Sequence, residues 1–522
     1  GQYGGRLYGS YNSVDSSVVG RAEGATGHER TVLSGGVTYQ DHGNREAGGG
    51  ETIRPSGYEV RAADFKWRQA IGDGGELMLS AQYLEQPKSP RVDELVPGYG
   101  QENPSSEQYW FKPNRREFLH ARYRIESDAV WFSRFEAHLA RQVITDDRLT
   151  QDWGETVVTE EESDSTLDGL TLQFNSPWGG NGNELVWGLE LYADDVSSTR
   201  QRTDTATGET WTSRGRYPDD SSMDSAAVYA SNRFQWDRLS VDAGVRYSSF
   251  DIRLPATSEI DAVKLTPSDF TGDIHLSYEL QPGLRLLANA GRGFRPPNIF
   301  DLGTLGSRPG NRFNIPNPDL EPETVWSYDA GIKLSTAHWE LEAFAWYADY
   351  DNKISSRFTG GVTPEGRQVV QSDNLNSATL YGLESGLRYI ASDSLEFYGV
   401  LNYTRGEEKE ADGSTMSADR IPPLNGRLGL VWLYGADWRV EPYLDFADRQ
   451  DRLSPRDERD PRIDPNGTAG FGTLNLLLSW QATETFSAGL RLQNLGDKNY
   501  REHGSGIDAP GRNVGVWLEL ML

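Results

Sequence analysis

The side chains with the widest chemical reach in this chain are its seven histidines and its runs of carboxylates. An imidazole at a loop rim can approach an iron or cobalt centre, and His42 and His503 fall among the long connections where such a rim is expected. Neither has a second ligand at metal-binding spacing, so a solvated loop histidine is the simpler account of each. The clusters Glu160-Glu161-Glu162-Ser163-Asp164, Glu407-Glu408-Lys409-Glu410 and Asp457-Glu458-Arg459-Asp460 offer oxygen ligands of the kind Ca²⁺ takes. Their spacing is not that of an EF-hand, and solvated charge explains them. Neither a metal site nor a cofactor is assigned. Gly291-Arg292-Gly293 is too short to cradle a dinucleotide and ends a strand instead of opening a helix. With no cysteine and no paired nucleophile and base, thiol chemistry, disulfides and enzymatic activity are not expected.

Recognition chemistry concentrates in one Pro- and Asn-rich excursion, Phe294 to Thr324. Its candidate ligand contacts are Phe294, Arg295, Asn298, Arg308, Asn311, Arg312, Asn317 and Asp319. Pro296, Pro297, Pro309, Pro316, Pro318 and Pro322 restrict φ, and the asparagines can cap turns, so an ordered loop is expected. Such a loop either recognises a ligand or locks its own base onto a rim.

The elements that carry the loop alternate with period two. Val514, Val516, Leu518, Leu520 and Leu522 share one face against Gly515, Trp517, Glu519 and Met521. Phe486, Ala488, Leu490 and Leu492 oppose Ser487, Gly489, Arg491 and Gln493. Tyr381, Leu383, Leu387 and Tyr389 oppose Glu384 and Arg388, and Leu239, Val241, Val245 and Tyr247 oppose Asp242 and Arg246. Short links such as Gly72-Asp73-Gly74, Gly179-Gly180-Asn181 and Gly435-Ala436-Asp437 suit tight hairpins. They alternate with long polar ones, among them Glu85 to Asn114, Thr145 to Thr166 and Phe294 to Thr324.

Mean hydropathy is −0.64 and no run nears the ~18 apolar residues of a membrane helix. A membrane barrel gives a far weaker signal, about ten alternating residues per span. Counting hairpins gives about 22 strands, all-β, as a transmembrane antiparallel barrel with short periplasmic turns and long extracellular loops. A soluble sandwich or propeller has no reason to sort its long loops to one rim. Outward Leu, Val, Tyr and Trp then meet lipid, while Asp242, Arg246, Glu384, Arg388 and Arg491 line the interior, where they grip a filling domain or border a pore. A net charge of −27 argues against nucleic acid as partner. The N-terminus, "GQYGGRLYGSYNS", carries no signal-peptide pattern, so export is inferred from the strands alone.

"GFRPPNIFDL" with "NPDLEPETVWSYDAGIKL" resembles the paired signature in mid-barrel of TonB-dependent outer-membrane receptors. "LQNLGDKNYREHGSGIDAPGR" and the strand after it are similar to their C-terminal signature, and residues 4–44 to their opening barrel hairpins. The resemblance implies a 22-stranded barrel plugged by an N-terminal domain that a TonB-contacting segment precedes. Residues 1–522 correspond to the barrel domain, with plug and TonB segment not in this chain. The implied function is active uptake of a scarce nutrient of the ferric siderophore, heme or cobalamin class. The implied partners are a small-molecule metal chelate, outer-membrane lipid and lipopolysaccharide, a plug on the same precursor or a separate chain, and the TonB-ExbB-ExbD system. Heme receptors of the family carry an axial histidine between the two motifs, and none stands here. Leu522 replaces the terminal aromatic residue usual in such barrels. The alternatives are a plugless barrel that scaffolds an outer-membrane assembly, or an open diffusion pore.

Overall fold

A computed structural model describes residues 2–178, 183–375, 377–410 and 413–522; the expected turn at Gly179-Gly180-Asn181 lies outside them. Each long strand pairs antiparallel with the next, and Gln2–Asn12 pairs with the last strand, Asn513–Met521, from Arg6↔Met521 to Asn12↔Gly515. That pairing closes a 22-stranded barrel in which every strand edge is satisfied.

Alternation sets the two faces. Along Phe132–Asp152 the outward positions include Phe135, Ala137 and Leu139, while Arg134, Glu136 and His138 point inward. Leu139 is 59% exposed and Val245 53% exposed because nothing but lipid covers them. Paired aromatics ring the short-turn side, including Phe174 stacked on Trp187, Phe234 on Trp236 and Trp438 on Trp480, with Trp339 tilted against Tyr389. Tyr247 with Phe270 and Trp326 with Tyr328 mark the opposite boundary. Amphipathic rings settle at both membrane interfaces.

The rim is lopsided. Ser106–Ala129, Phe132–Asp152, Val157–Pro177 and Glu184–Asp204 run 24, 21, 21 and 21 residues, whereas Asn425–Tyr434 and Trp438–Ala447 run 10 each. At ~3.3 Å per residue and ~45° tilt the former rise ~50 Å against an apolar band ~25 Å tall. Their upper halves therefore stand in water as a tall wall. This corrects the expected loop from Thr145 to Thr166, whose only unpaired stretch is 153–156. Both faces of that segment are polar, so period-two hydrophobicity cannot report it although strand runs to Asp152 and resumes at Val157. The expected loop from Glu85 to Asn114 likewise shortens, because the strand starts at Ser106 and passes a bulge between Phe111 and Asn114 that accommodates Pro113.

The excursion after Phe294 is built as structure. Pairing continues to Arg295↔Glu323, leaving 296–322 as the connection. It contains a helix, Ile299–Gly303, and short strands Gly306–Arg308 and Arg312–Ile315. The second of these lies parallel to Gln368–Asn374, which pairs with Ile354–Val362, so two neighbouring loops merge into a four-stranded cap sheet. Ile299 and Leu302 bury against Ile252, Leu254, Ile260 and Leu320. Each such side chain contributes about 1.5–3 kcal/mol of transfer free energy, giving the cap its own small core above the membrane.

Candidate functional site: an arginine-rich extracellular vestibule

Inner positions of the tall wall carry Arg148, Glu161, Arg200 and Arg202, and the connection between Glu184–Asp204 and Ser221–Trp236 adds Arg214 and Arg216. Glu161 is fully buried; its Oε1 accepts from Arg200 Nε at 2.8 Å and its Oε2 from Arg216 Nη2 at 3.3 Å. Burial raises this carboxyl, but Arg216 and Arg200 outweigh that and hold it at about 2. The acidic run Glu160 to Asp164 thus lies on a strand, and alternation turns Glu161 inward while Glu160 and Glu162 stay exposed.

Three wall arginines then read the cap backbone at alternate carbonyls. Arg214 Nη2 donates to Gly303 O, Arg200 Nη2 to Leu305 O at 3.1 Å, and Arg216 Nη2 to Ser307 O at 3.1 Å. A second tie lies at Arg367, 2% exposed. Its Nη2 donates to Asp152 Oδ1 at 2.6 Å and its Nη1 to Glu94 Oε2 at 3.3 Å, while Glu94 Oε1 accepts from Gly310 N at 2.7 Å. Burial pushes the Glu94 carboxyl up to about 7 despite Arg367. A third tie joins Asp460 to Arg462 and Arg420, with Arg462 Nη1 reaching Asp93 at 3.1 Å. Burial raises Asp460, yet Arg462 and Arg420 leave it below its ordinary value.

Between these ties stands cationic charge without matching acid. Arg308 donates from Nη1 to Asn314 Oδ1 at 3.2 Å and stacks over Phe300 at 4.8 Å, with no carboxylate partner among the described residues. Arg312 donates from Nε to Pro309 O at 2.9 Å, comes no nearer to a carboxylate than 3.9 Å from Asp460, and leaves Nη1 unbonded. Burial first, then Arg456 as a neighbouring cation, pulls Arg308 down to about 10 and Arg312 to about 9. Arg214, whose Nε lies 3.5 Å from Glu259 Oε2, still falls to about 10 through burial and Arg200, with Nη1 unbonded. Buried, under-neutralised guanidiniums stabilise an arriving anion strongly, because donors and charge are already in place. Tyr217 and Phe300 supply aromatic surface beside them, and Tyr109 is buried behind.

The other sequence-derived loop residues hold the cap. Arg295 bonds Glu323 and Asp301 at 2.7 Å each. Asn298 forms a capping box with Asp301 on the helix Ile299–Gly303. Asn311 takes φ +56° and donates to Gly366 O, Asn317 donates to Ser372 O at 2.8 Å, Phe294 packs near Phe250, and Asp319 is exposed. The inward residues lie apart on the barrel wall. Asp242 accepts from Arg233 at 2.6 Å, Arg246 pairs with Glu190 at 2.6 Å, and Arg388 bridges Glu396 and Glu340. Glu384 and Arg491 form no ion pair among the described residues. His42 bonds Asp15 and Gln40 at the outer rim, and His503 is buried beside Thr468 and Asp457. Among the described residues no three acidic or imidazole groups converge as metal ligands. Arg200, Arg214, Arg216, Arg367 and Glu94 escaped sequence reasoning; the same-face spacing of Arg200 with Arg202 and of Arg214 with Arg216 was the available signal.

The family model described as "TonB dependent receptor-like, beta-barrel" matches residues 38–495. The chain is 22% identical over 368 residues to the ferrienterobactin receptor of Escherichia coli K12, covering 65% of this chain and 47% of that protein. It is 22% identical over 306 residues to the hemin receptor of Yersinia pestis, covering 53% and 40%. The chain thus spans about half the length of the curated relatives it matches. Among solved structures, the copper transporter OprC superposes over 100% of this chain and 80% of its own, with TM-score 0.85 and 17% identity. Closed barrel, aromatic boundaries and family match agree, and the chain belongs to the TonB-dependent receptor-like β-barrel family, as a multi-pass protein of the Gram-negative outer membrane.

Proposed function

We propose that this barrel serves active uptake of a scarce nutrient as an anionic metal chelate, captured in the vestibule and passed inward past a plug that fills the barrel. The observation that carries this reading is the pair Arg312, buried, and Arg308, half-buried, on the short strands of the cap without a close carboxylate. A negatively charged chelate completes the coordination that Arg312 Nη1 lacks and supplies a counter-charge to Arg308, and Phe300 and Tyr217 offer surface to flat aromatic chelating groups. The ferrienterobactin receptor among the relatives points to the same ligand class. Asp242, Arg246, Glu384, Arg388 and Arg491 would meet the plug surface from several sides of the barrel, and energy from the TonB system would rearrange that plug. With no histidine between the two motifs, the vestibule is better suited to a carboxylate or catecholate chelate than to axial ligation of heme.

The test is equilibrium binding of ferric chelates of graded charge to the full receptor and to R308Q/R312Q. The double variant is expected to lose about 10- to 100-fold affinity for a triply anionic chelate, corresponding to about 1.5–3 kcal/mol for charged hydrogen bonds. A neutral chelate should bind both proteins alike. Equal losses for both ligands would make the two arginines structural.

A further inference from the structure

His503 takes no part in the vestibule, yet it is set between two parts of a neighbouring loop. The connection 494–512 brings it against the connection 448–470. On one side stands Thr468, fixed to the loop base by its bridge to Gln450; on the other stands Asp457, in the helix Pro455–Arg459. The imidazole is 3% exposed and the Asp457 carboxylate is fully buried. The two ring nitrogens are unequally served. Nδ1 lies 2.9 Å from Thr468 Oγ1, whereas Nε2 is 3.8 Å from Asp457 Oδ2, beyond hydrogen-bond reach, and has no partner among the described residues. Asp457 Oδ1, 3.3 Å from Arg420 Nε, is likewise without a hydrogen bond.

Charged groups reach this junction from each element packed there. Asp457 and Asp460 come from the helix and its end, Arg420 comes from the connection 410–424 and spans both, and Arg462 carries the pairing on to Asp93. On the histidine's own connection Arg501 is held by Asp508, and Glu502 is exposed. Burial raises the Asp457 carboxyl, but His503 and Arg420 hold it below its ordinary value, so it remains an anion where an imidazole titrates. A neutral ring that gives its one proton to Thr468 turns a bare Nε2 toward a carboxylate, and the two lone pairs stay apart. A proton on Nε2 converts the same gap into a charged hydrogen bond of about 2.8 Å. The Thr468 hydroxyl serves either state, since it can accept from Nδ1 or donate to it.

We infer that His503 and Asp457 form an acid-closed strap between two extracellular connections, drawing 494–512 onto the helix Pro455–Arg459. The same helix ends at Asp460, which bonds Arg462 and lies 3.9 Å from Arg312, so closing the strap steadies the tie on the low side of the vestibule. The closed form is the one that holds the extra proton. The strap is therefore tight in acid and slackens as pH rises through the imidazole range, about pH 5 to 8. It rests on the loops standing outside the membrane and not on the uptake reading, so it survives if chelate binding fails.

The experiment is amide hydrogen exchange of the full receptor at about pH 5.5 and about pH 7.5, corrected for intrinsic rates. In the wild type, residues 455–460 and 500–508 are expected to exchange about tenfold more slowly at the acid end, and H503Q is expected to abolish that difference. E94Q should keep it, which separates the strap from the titration of Glu94. A wild type that shows no difference, or a difference that persists in H503Q, overturns the strap. Loss of the difference in E94Q assigns it to Glu94 and overturns the strap equally. If H503Q leaves these amides unprotected at both pH values, ring-nitrogen NMR of the wild type decides, the His503 signal being the one absent from H503Q. Two protonated nitrogens at the acid end and one at the other support the strap, and a ring unchanged between them overturns it.

Discussion

Glu94 is the residue whose chemistry responds most directly to its surroundings. Its carboxyl faces Arg367, Asp93, Ser106 and the Gly310 amide, and burial raises it to about 7. The folded state thus holds the proton more tightly than the unfolded chain. Its contribution to cap packing is fully present below the ordinary carboxylate range and fades as pH rises through about 7, on the order of 3 kcal/mol across that window. Amide hydrogen exchange in residues 304–315 should accelerate from pH 5.5 to 7.5 beyond the intrinsic rate, and E94Q should flatten that response. An unchanged response in E94Q would place the titration elsewhere. Sequence reasoning reached Arg308 and Arg312 because a polar excursion between two motifs invites attention. It missed Glu94, Arg200 and Arg367, whose partners lie on segments remote in the chain: Arg367 meets Asp152 and Glu94, which no local pattern brings together.

At the scale of elements, the helix Ile299–Gly303 depends on its cap more than on its length, since one turn and a half cannot sustain itself. N298A removes the acceptor of the Asp301 amide and should cost about 1 kcal/mol locally. Exchange at Leu302 and Thr304 should quicken about fivefold, with the thermal midpoint of the barrel unmoved. A fall in the barrel midpoint would mean the cap and barrel unfold together. The membrane-crossing parts of the strands were legible because lipid on one side imposes alternation, as in Leu239 to Tyr247. Above the lipid that imposition stops, and the stretch from Thr145 to Thr166 reads as loop although it pairs almost to its tip. The four-stranded cap sheet was illegible for a related reason. Its strands are three to nine residues long, and Arg312–Ile315 pairs in parallel with a segment from another loop.

For the molecule as a whole, the two faces of one strand make opposite demands. V245R places a charge among acyl chains near mid-band and should destabilise the barrel by about 2–4 kcal/mol, while S240R, on the inward face of the same strand, should be tolerated. Urea unfolding in lipid vesicles distinguishes them, and similar losses for both would reverse the assignment of faces. The family and the barrel were readable from the chain because several motifs and the alternation agree in order. The surroundings of Arg308 were not, since its contacts with Asn314 and Phe300 form only once the cap is folded. The uneven rim has one more effect. Any large particle descending on the cell, an antibody or a phage tail, meets the hairpin tips near Trp153 and Thr207 before it reaches the buried guanidiniums, among which Arg367 bonds Asp152 just inside one tip. Immune and viral pressure would therefore fall first on those tips.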